Sequence, residues 1–537
     1  MFVVRQCFCR IVCLVLLVLT NTFAYAAEVC DAVIYGGTCS GIFAAIELVN
    51  RGNSVILIEP TNHIGGMTAS GLGWVDVCDP KLLGKRTMDF FHRVWMHYEQ
   101  PNAWIFEEKR MIQGQFMHAP PAQTLWVFEP HVAERVFLDM LQEAGVEVLY
   151  NERLDRQHGV DKVNNQIKKI TMESGRSFVG HVFIDASYEG DLMAASGISY
   201  AIGREANSLY GETQNGIHYN VRRSELPQRG GLDPYVIPKD PNSGLLPRIE
   251  AMTQEEEGEG DFRVQAYNYR MCLTDVPENK VDILKPENYQ ELDYEIVFRA
   301  LALGMPWNRF FKLDLLPNRK TDSNNSSGVS TDFVGMSYNY VESSYEERSR
   351  IALAHKNWQL GLLWTLQNHP RIPQKIRARL QKWGLAKDEF VDNGHWPYQL
   401  YIREGRRLLG EYITTENTLL QPDLVPDPIA FCTYAMDSHG VRYVVGSDQF
   451  LMIDGAFYKS LSQPGRISYR SIVPKQEQCE NLFVLMCLSA SHVAYGSMRM
   501  EPVFMTIGEH AGIAASIAID RAIAVQHVPY QNIVERF

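Results

Sequence analysis

The sequence predicts an α/β protein: a Rossmann-like nucleotide-binding domain, built on a parallel sheet with a β-meander, into which a mixed α+β domain is inserted. Three observations carry this. An apolar run at Ala32–Tyr35, a glycine turn and an amphipathic stretch lead into a second apolar run at 55–58 that ends on Glu59. A helix, a strand, a meander and a further strand follow between 129 and 186. A strand at 481–486 and a helix within 500–524 come back at the C-terminal end. The expected divisions are 1–26 for a leader, 27–202 for the first part of the nucleotide-binding domain, 203–427 for the inserted domain and 428–537 for the return.

The first strand has the length and apolar content of a buried one. The turn after it reads Gly36-Gly37-Thr38-Cys39-Ser40-Gly41, and Ile42, Ala45, Ile46 and Val49 then recur at helical spacing until Gly52-Asn53. A strand-turn-helix-strand unit closing on a carboxylate about 20 residues past the turn is the pattern of a dinucleotide site. The turn's N–H groups and the helix N-terminus face a pyrophosphate, and Glu59 accepts from a ribose hydroxyl. Thr38 stands where the second fingerprint glycine belongs; it narrows the approach, and its hydroxyl can donate to a phosphate oxygen. Cys39 reads as a small packing residue.

Past Glu59-Pro60 comes a second glycine pair, His63-Ile64-Gly65-Gly66-Met67-Thr68. That loop resembles the one covering the FAD phosphates in the glutathione-reductase-like superfamily, and nicotinamide-only dehydrogenases usually lack it. The resemblance implies FAD. The residues read as holding it are Gly36, Gly37, Thr38, Ser40, Gly41, Glu59, Pro60, Gly65, Gly66, Met67, Thr68 and Asp185. Asp185 ends the strand at 182–186; there the superfamily places an Asp or Thr near the cofactor, and a helix-capping role before Glu189-Gly190-Asp191 is equally open. The last helix is rich in small residues, Gly508, Ala511, Gly512, Ala514, Ala515 and Ser516, and so suits close packing on another backbone.

Arg5 and Arg10 precede an apolar run at 11–19 that is too short to span a bilayer, and Ala24-Tyr25-Ala26 supplies an A-x-A cleavage site. A secretory leader cleaved after Ala26 is expected, an uncleaved anchor being the alternative. An exported, periplasmic or extracellular location follows. No other stretch reads as a membrane span. Losing two arginines and no acids takes the formal charge from −12 to −14. Such an acidic chain lacks the electrostatic footprint of a nucleic-acid binder, and the expected partner is a small-molecule substrate. The cysteines outside the leader are widely spaced, without C-x-x-C. One or two disulfides are open, and no metal site is expected.

Over nearly all of the mature span the chain resembles exported bacterial FAD-dependent oxidoreductases of the FAD_oxidored family. The stretches that carry this include YGGTCSGI, HIGGMTASGLG, FIDASYEGDLMAASG, LPNRKTDSNN, GHWPYQLYIREGRRLLGEY, MDSHGVR and CLSASHVAYGSMRMEPVFMTIGEHAGIAAS. Thr38 in place of glycine is usual there. Leu485-Met486 stand where that family usually has Gly-Arg. The resemblance implies a cofactor and a scaffold, and no established substrate.

The chain has no second dinucleotide fingerprint; Val444-Val445-Gly446-Ser447 is the nearest approach. Electrons are therefore expected to enter from an organic substrate oxidised at a C–O or C–N bond by an oxidase or dehydrogenase, with the protein taking the proton. The competing reading is a catalytically silent flavoprotein that binds carbohydrate or a surface. Three histidines in polar stretches are candidate bases: His492 first, then His439, then His395. Arg499 can balance an anionic flavin or bind a substrate carboxylate. Arg403, Arg406 and Arg407 have helical spacing that suits a salt-bridged or solvated face. Lys320, Asp322 and Asn324 can hydrogen-bond a polyol or build a turn.

Overall fold

The structure is a computed structural model that describes residues 26–76, 79–110, 123–219, 225–227, 231–251 and 255–534. The leader, except Ala26, and Cys78 lie outside the described residues. The six described cysteines are buried free thiols.

The expected parallel sheet is present. Its strands are β1 (Ala32–Tyr35), β2 (Val55–Glu59), β3 (Glu147–Tyr150), β4 (Val182–Asp185) and β5 (Leu482–Val484), in the order β5-β4-β1-β2-β3. All four pairings are parallel. Alternation along each strand gives the sheet two buried faces. Ala32, Ile34 and Leu57 join the larger core. Val33, Tyr35, Ile56 and Ile58 join a smaller one with Ile167, Ile170 and Phe178. The last three belong to the meander, Val160–Val163, Gln166–Thr171 and Ser177–Val179, which is antiparallel as expected.

The larger core is closed by helices α1 (Cys39–Asn50), α2 (Lys85–Glu99) and α3 (Pro130–Ala144). Between the halves of the sheet the chain builds a five-stranded antiparallel sheet, ordered Asp314–Leu315, Lys320–Ser323, Met271–Thr274, Gly384–Ala386 and Lys280–Val281. It also builds a long helix, α4 (Tyr345–Asn368). After β5 come α5 (His492–Met498) and α6 (Glu501–Arg521).

Several expectations change. The second glycine loop contains a helical turn, Gly66–Ala69. The helical spacing of Arg403, Arg406 and Arg407 makes no helix. Each arginine is drawn to a different buried carboxylate. Arg403 Nη2 meets Asp332 at 2.9 Å, Arg406 Nη1 meets Asp191 at 2.9 Å, and Arg407 Nη2 meets Glu205 at 2.6 Å while Nη1 pairs with Glu404. By length and composition α6 could cross a membrane, contrary to the expectation that no stretch beyond the leader reads as a span. Its apolar length is instead buried within the chain.

The small residues of α6 explain why. A Cβ on Gly508 would stand 2.2 Å from the Ser40 carbonyl oxygen, and one on Gly512 would stand 2.7 Å from that of Ala44. The backbones of α1 and α6 are in contact, so nothing larger than hydrogen fits. Gly508→Ala should therefore destabilise the protein by about 1–3 kcal/mol, the usual cost of overpacking. Equilibrium unfolding in urea measures this, and an unchanged midpoint would show that the helices can part at no cost.

Candidate active site

The phosphate turn is shaped by its glycines. Gly36 has φ +110°, which favours glycine, and a Cβ on Gly41 would stand 2.1 Å from the Gly36 carbonyl oxygen. Thr38 caps α1, and its hydroxyl donates to the Ala186 carbonyl at 2.8 Å. The threonine thus turns toward β4 and leaves the approach to the turn less narrowed than its size suggests. Ser40 Oγ lies 3.0 Å from Met486 Sδ, so Met486 backs the turn where a Gly-Arg pair was expected. Gly41 N–H donates to Thr38 Oγ1 at 3.4 Å, and the N–H groups of Cys39 and Ser40, which have no intrahelical acceptor, form a donor set for an anion.

Glu59 ends β2. Its Oε2 accepts from Gly37 N–H at 2.8 Å and its Oε1 from Thr61 N–H at 2.7 Å. Burial pushes its carboxyl up to about 7 despite those bonds. Pro60 and Thr61 line a cavity together with Tyr35, Arg153 and Ser187. A donor turn, a buried acid beside it and a cavity next to that acid are what a dinucleotide needs, so the residues fit FAD.

The second glycine loop fits in part. Gly65 N–H donates to the Gly37 carbonyl at 2.7 Å and ties the two loops together. Met67 N–H donates to Tyr188 Oη at 2.8 Å, and Thr68 Oγ1 donates to Glu501 Oε2 at 2.6 Å. These two donors face the start of α6. Asp185 points into the following turn. Its Oδ1 accepts from Ser187 N–H and Oγ, its Oδ2 accepts from Met193 N–H at 2.8 Å, and burial raises it to about 6. That is the capping role the sequence left open; its neighbour Ala186 is what meets Thr38. Cys39 is buried and its thiol is pushed well up by burial, in keeping with a packing role.

A polar cleft of ≈ 850 Å³, partly open to solvent, lies beside the start of α6, with Arg499 and Met500 in its wall. His439 lines it and His492 does not. His439 Nδ1 is 2.7 Å from Asp332 Oδ2, and Asp332 Oδ1 accepts from Arg403 Nη2 at 2.9 Å. Nδ1 also lies 3.1 Å from Asn325 Nδ2, and Nε2 lies 3.5 Å from Asp437 Oδ2; the Asp332 contact is the shortest of the three, so we assign the proton to Nδ1, which leaves Nε2 as the acceptor toward the cleft. Burial works against the charge of Asp332, yet Arg403 and His439 hold it below the ordinary carboxylate range. Arg499 Nη1 donates to Tyr401 Oη at 2.7 Å, and its buried Nε has no hydrogen-bond partner.

His492 stands behind the cleft. It opens α5, it is 1% exposed, and its Nδ1 is 2.7 Å from Glu404 Oε2. Gln265 Nε2 donates to that same oxygen at 2.9 Å, while Gln265 Oε1 accepts from His439 N–H at 3.2 Å. The sequence placed His492 in an irregular polar stretch; the structure makes it a buried helix residue that supports His439 through two partners. His395 Nδ1 meets the Glu389 carbonyl at 3.2 Å and lies away from the cleft. Asn324 lines the cleft. Lys320 and Asp322 are instead buried in ion pairs, Lys320 with Glu129, Asp388 and Glu389, and Asp322 with Arg270. The carboxylates of Glu129 and Glu389 with His131 have the spacing of a metal site, but the Lys320 ammonium already sits among the two glutamates. Asp332, Asn325, Tyr401 and Asp437 are cleft residues that sequence reasoning missed; the polar run around 320–332 was the available signal.

The family described as FAD dependent oxidoreductase matches residues 31–537, and the chain belongs to it. Among curated relatives, NADH:acrylate oxidoreductase of Vibrio harveyi is 39% identical over 57 residues, 11% of this chain and 6% of that protein. Pseudooxynicotine dehydrogenase of a Pseudomonas species is 29% identical over 104 residues, 19% of each. The chain thus spans under a fifth of either relative's length. Among solved structures, OxyS anhydrotetracycline hydroxylase from Streptomyces rimosus aligns at 13% identity and TM-score 0.25, over 38% of this chain and 41% of that one.

The raised Glu59 carboxyl has a consequence for stability. With a folded value of about 7 against an ordinary 4.5, the folded state keeps a proton that the unfolded chain releases. Its contribution is present below about 4.5 and is lost as pH rises through about 7. In FAD-stripped protein, Glu59→Gln should gain stability relative to wild type across that window. Thermal unfolding at stepped pH measures the gap; a gap that does not change contradicts the assignment.

Proposed function

We propose that the enzyme oxidises a small polar organic substrate at a C–O or C–N bond in the cleft around His439. The observation that carries this is the His439–Asp332–Arg403 chain, set in a polar cleft whose wall continues through Arg499 and Met500 into α6. The mixed lining of arginines, carboxylates, asparagines and tyrosines suits a polyol or a hydroxy or amino compound. When bound, FAD supplies the two-electron acceptor for the substrate's hydride.

The chain's own residues do the rest. His439 Nε2 takes the proton of the substrate's hydroxyl or amine. Asp332 holds the ring in the right tautomer and offsets the imidazolium charge, and Arg403 holds Asp332. Arg499 offers its unpartnered Nε to an electron-rich group of the substrate. His492, which the sequence favoured as the base, acts as a positioning residue through Glu404 and Gln265.

Anaerobic mixing of the purified holoenzyme with polyols, hydroxy acids and amines, followed at the flavin absorbance, identifies the substrate. With it, His439→Ala should slow flavin reduction by about 10²–10⁴-fold, the range for losing a general base, at unchanged FAD content. His492→Ala should slow it less. Reduction of His439→Ala at the wild-type rate overturns the assignment.

We further propose export, on the strength of Arg5, Arg10, the short apolar run and Ala24-Tyr25-Ala26. N-terminal sequencing of protein from the extracytoplasmic fraction should begin at Ala27. Full-length chain confined to the cytoplasm contradicts this.

A further inference from the structure

A second cavity, partly open to solvent, lies between the 245–250 segment, the 288–294 segment and α4. Tyr289, Tyr294, Phe333 and Trp358 give its walls an aromatic part, beside the polar Asn288, Asp293 and Asn357. Tyr294 and Trp358 stack with centroids 4.9 Å apart and an interplanar angle of 3°, and Phe333 and Trp358 stack at 5.4 Å and 11°. The rings are held in place. Trp358 Nε1 donates to the Ser330 carbonyl at 3.2 Å, and Tyr294 Oη donates to the Trp358 carbonyl at 3.2 Å.

One cation enters this setting. The Arg248 guanidinium lies over the Trp358 ring, 3.9 Å from its centroid, and 5.1 Å from that of Phe333. Its Nη2 donates to the Asp293 backbone carbonyl at 3.1 Å. Its Nη1 is buried and has no hydrogen-bond partner. Asp293 also lines the cavity and its charge favours the cation from a distance, but none of the ion pairs among the described residues includes Arg248. Arg248 holds this position from a left-handed backbone, φ +66°, that an arginine rarely adopts.

An arginine keeps its proton, so the charge cannot be shed. Burial disfavours the cation here and moves its pKa down. Arg248 keeps part of its surface in solvent, but a guanidinium nitrogen that is itself buried is ordinarily paired. The chemistry that would pair it also has to stack on flat rings. A planar carboxylate meets both needs: its oxygens suit the guanidinium edge, and its ring can lie along the aromatic residues that line the cavity, although Tyr294 itself is already stacked between Tyr289 and Trp358.

We propose that this cavity is a binding site for a planar aromatic carboxylate, held by Arg248 against Trp358, Phe333 and Tyr294 and separate from the oxidation cleft.

Isothermal titration of the holoenzyme with benzoate, and with benzamide as its uncharged counterpart, tests the proposal while the flavin spectrum is recorded. Benzoate should bind at millimolar or lower concentration, more tightly than benzamide, and without a flavin spectral change. Arg248→Met should weaken benzoate roughly 10- to 100-fold, the size expected for losing a hydrogen bond to a charged group, and leave benzamide and FAD content unchanged. Arg248→Lys, which keeps the charge but not the planar stack, should fall between, and it serves if the Met variant does not fold. No benzoate binding to wild type, equal binding of benzamide, undiminished binding in the Arg248 variants, or binding that shifts the flavin spectrum would each overturn the proposal.

Discussion

The contact between α1 and α6 sets everything that follows. Gly508 lies on the Ser40 carbonyl and Gly512 on that of Ala44, so the two helices share one position to within the size of a methyl group. That position is doubly functional. Ser40 belongs to the phosphate turn, and the residues just before α6, Arg499 and Met500, wall the cleft. One backbone contact therefore fixes the distance between the nucleotide-binding turn and the cleft, which a surface loop could not do.

Around this contact the chain uses buried charge to hold distant segments together. Asp191 takes Arg348 and Arg406; Glu205 and Glu404 share Arg407; Asp454 takes Arg204 and Arg442. Breaking one partner of a buried pair leaves an uncompensated charge, so these pairs specify geometry even where they add little net stability. The His439–Asp332–Arg403 chain is built the same way, except that one end opens into the cleft. Glu404 joins the two levels. It pairs with Arg407 and with His492 in the interior and, through Gln265, reaches the backbone of His439.

What the sequence made legible was local. The turn at 36–41, the acid at 59 and the meander are each decided within a few residues, by glycine geometry, strand length and alternation. The small residues of α6 also announced close packing, and the partner proved to be α1. The cleft was not legible in this way. Asp332 and His439 are 107 positions apart, and Arg403 and Asp332 are 71 apart, so their meeting is a tertiary fact. The arginines at 403–407 show the limit clearly. Their spacing is helical, but each finds its carboxylate in another part of the chain, and burial overrode local propensity. The loop reading of the stretch around His492 gave way for the same reason. Its polar neighbours suggested a loop, whereas Ser491 caps a helix whose first residue is sealed in the core.

Everything the fold positions serves a bound FAD. The most direct measurement is the cofactor content of the purified protein: release by denaturation, identification by chromatography and quantitation by absorbance. The account predicts FAD in stoichiometric amount with the chain, or its full restoration when apoprotein is incubated with FAD. A folded, colourless protein that takes up no FAD would contradict it.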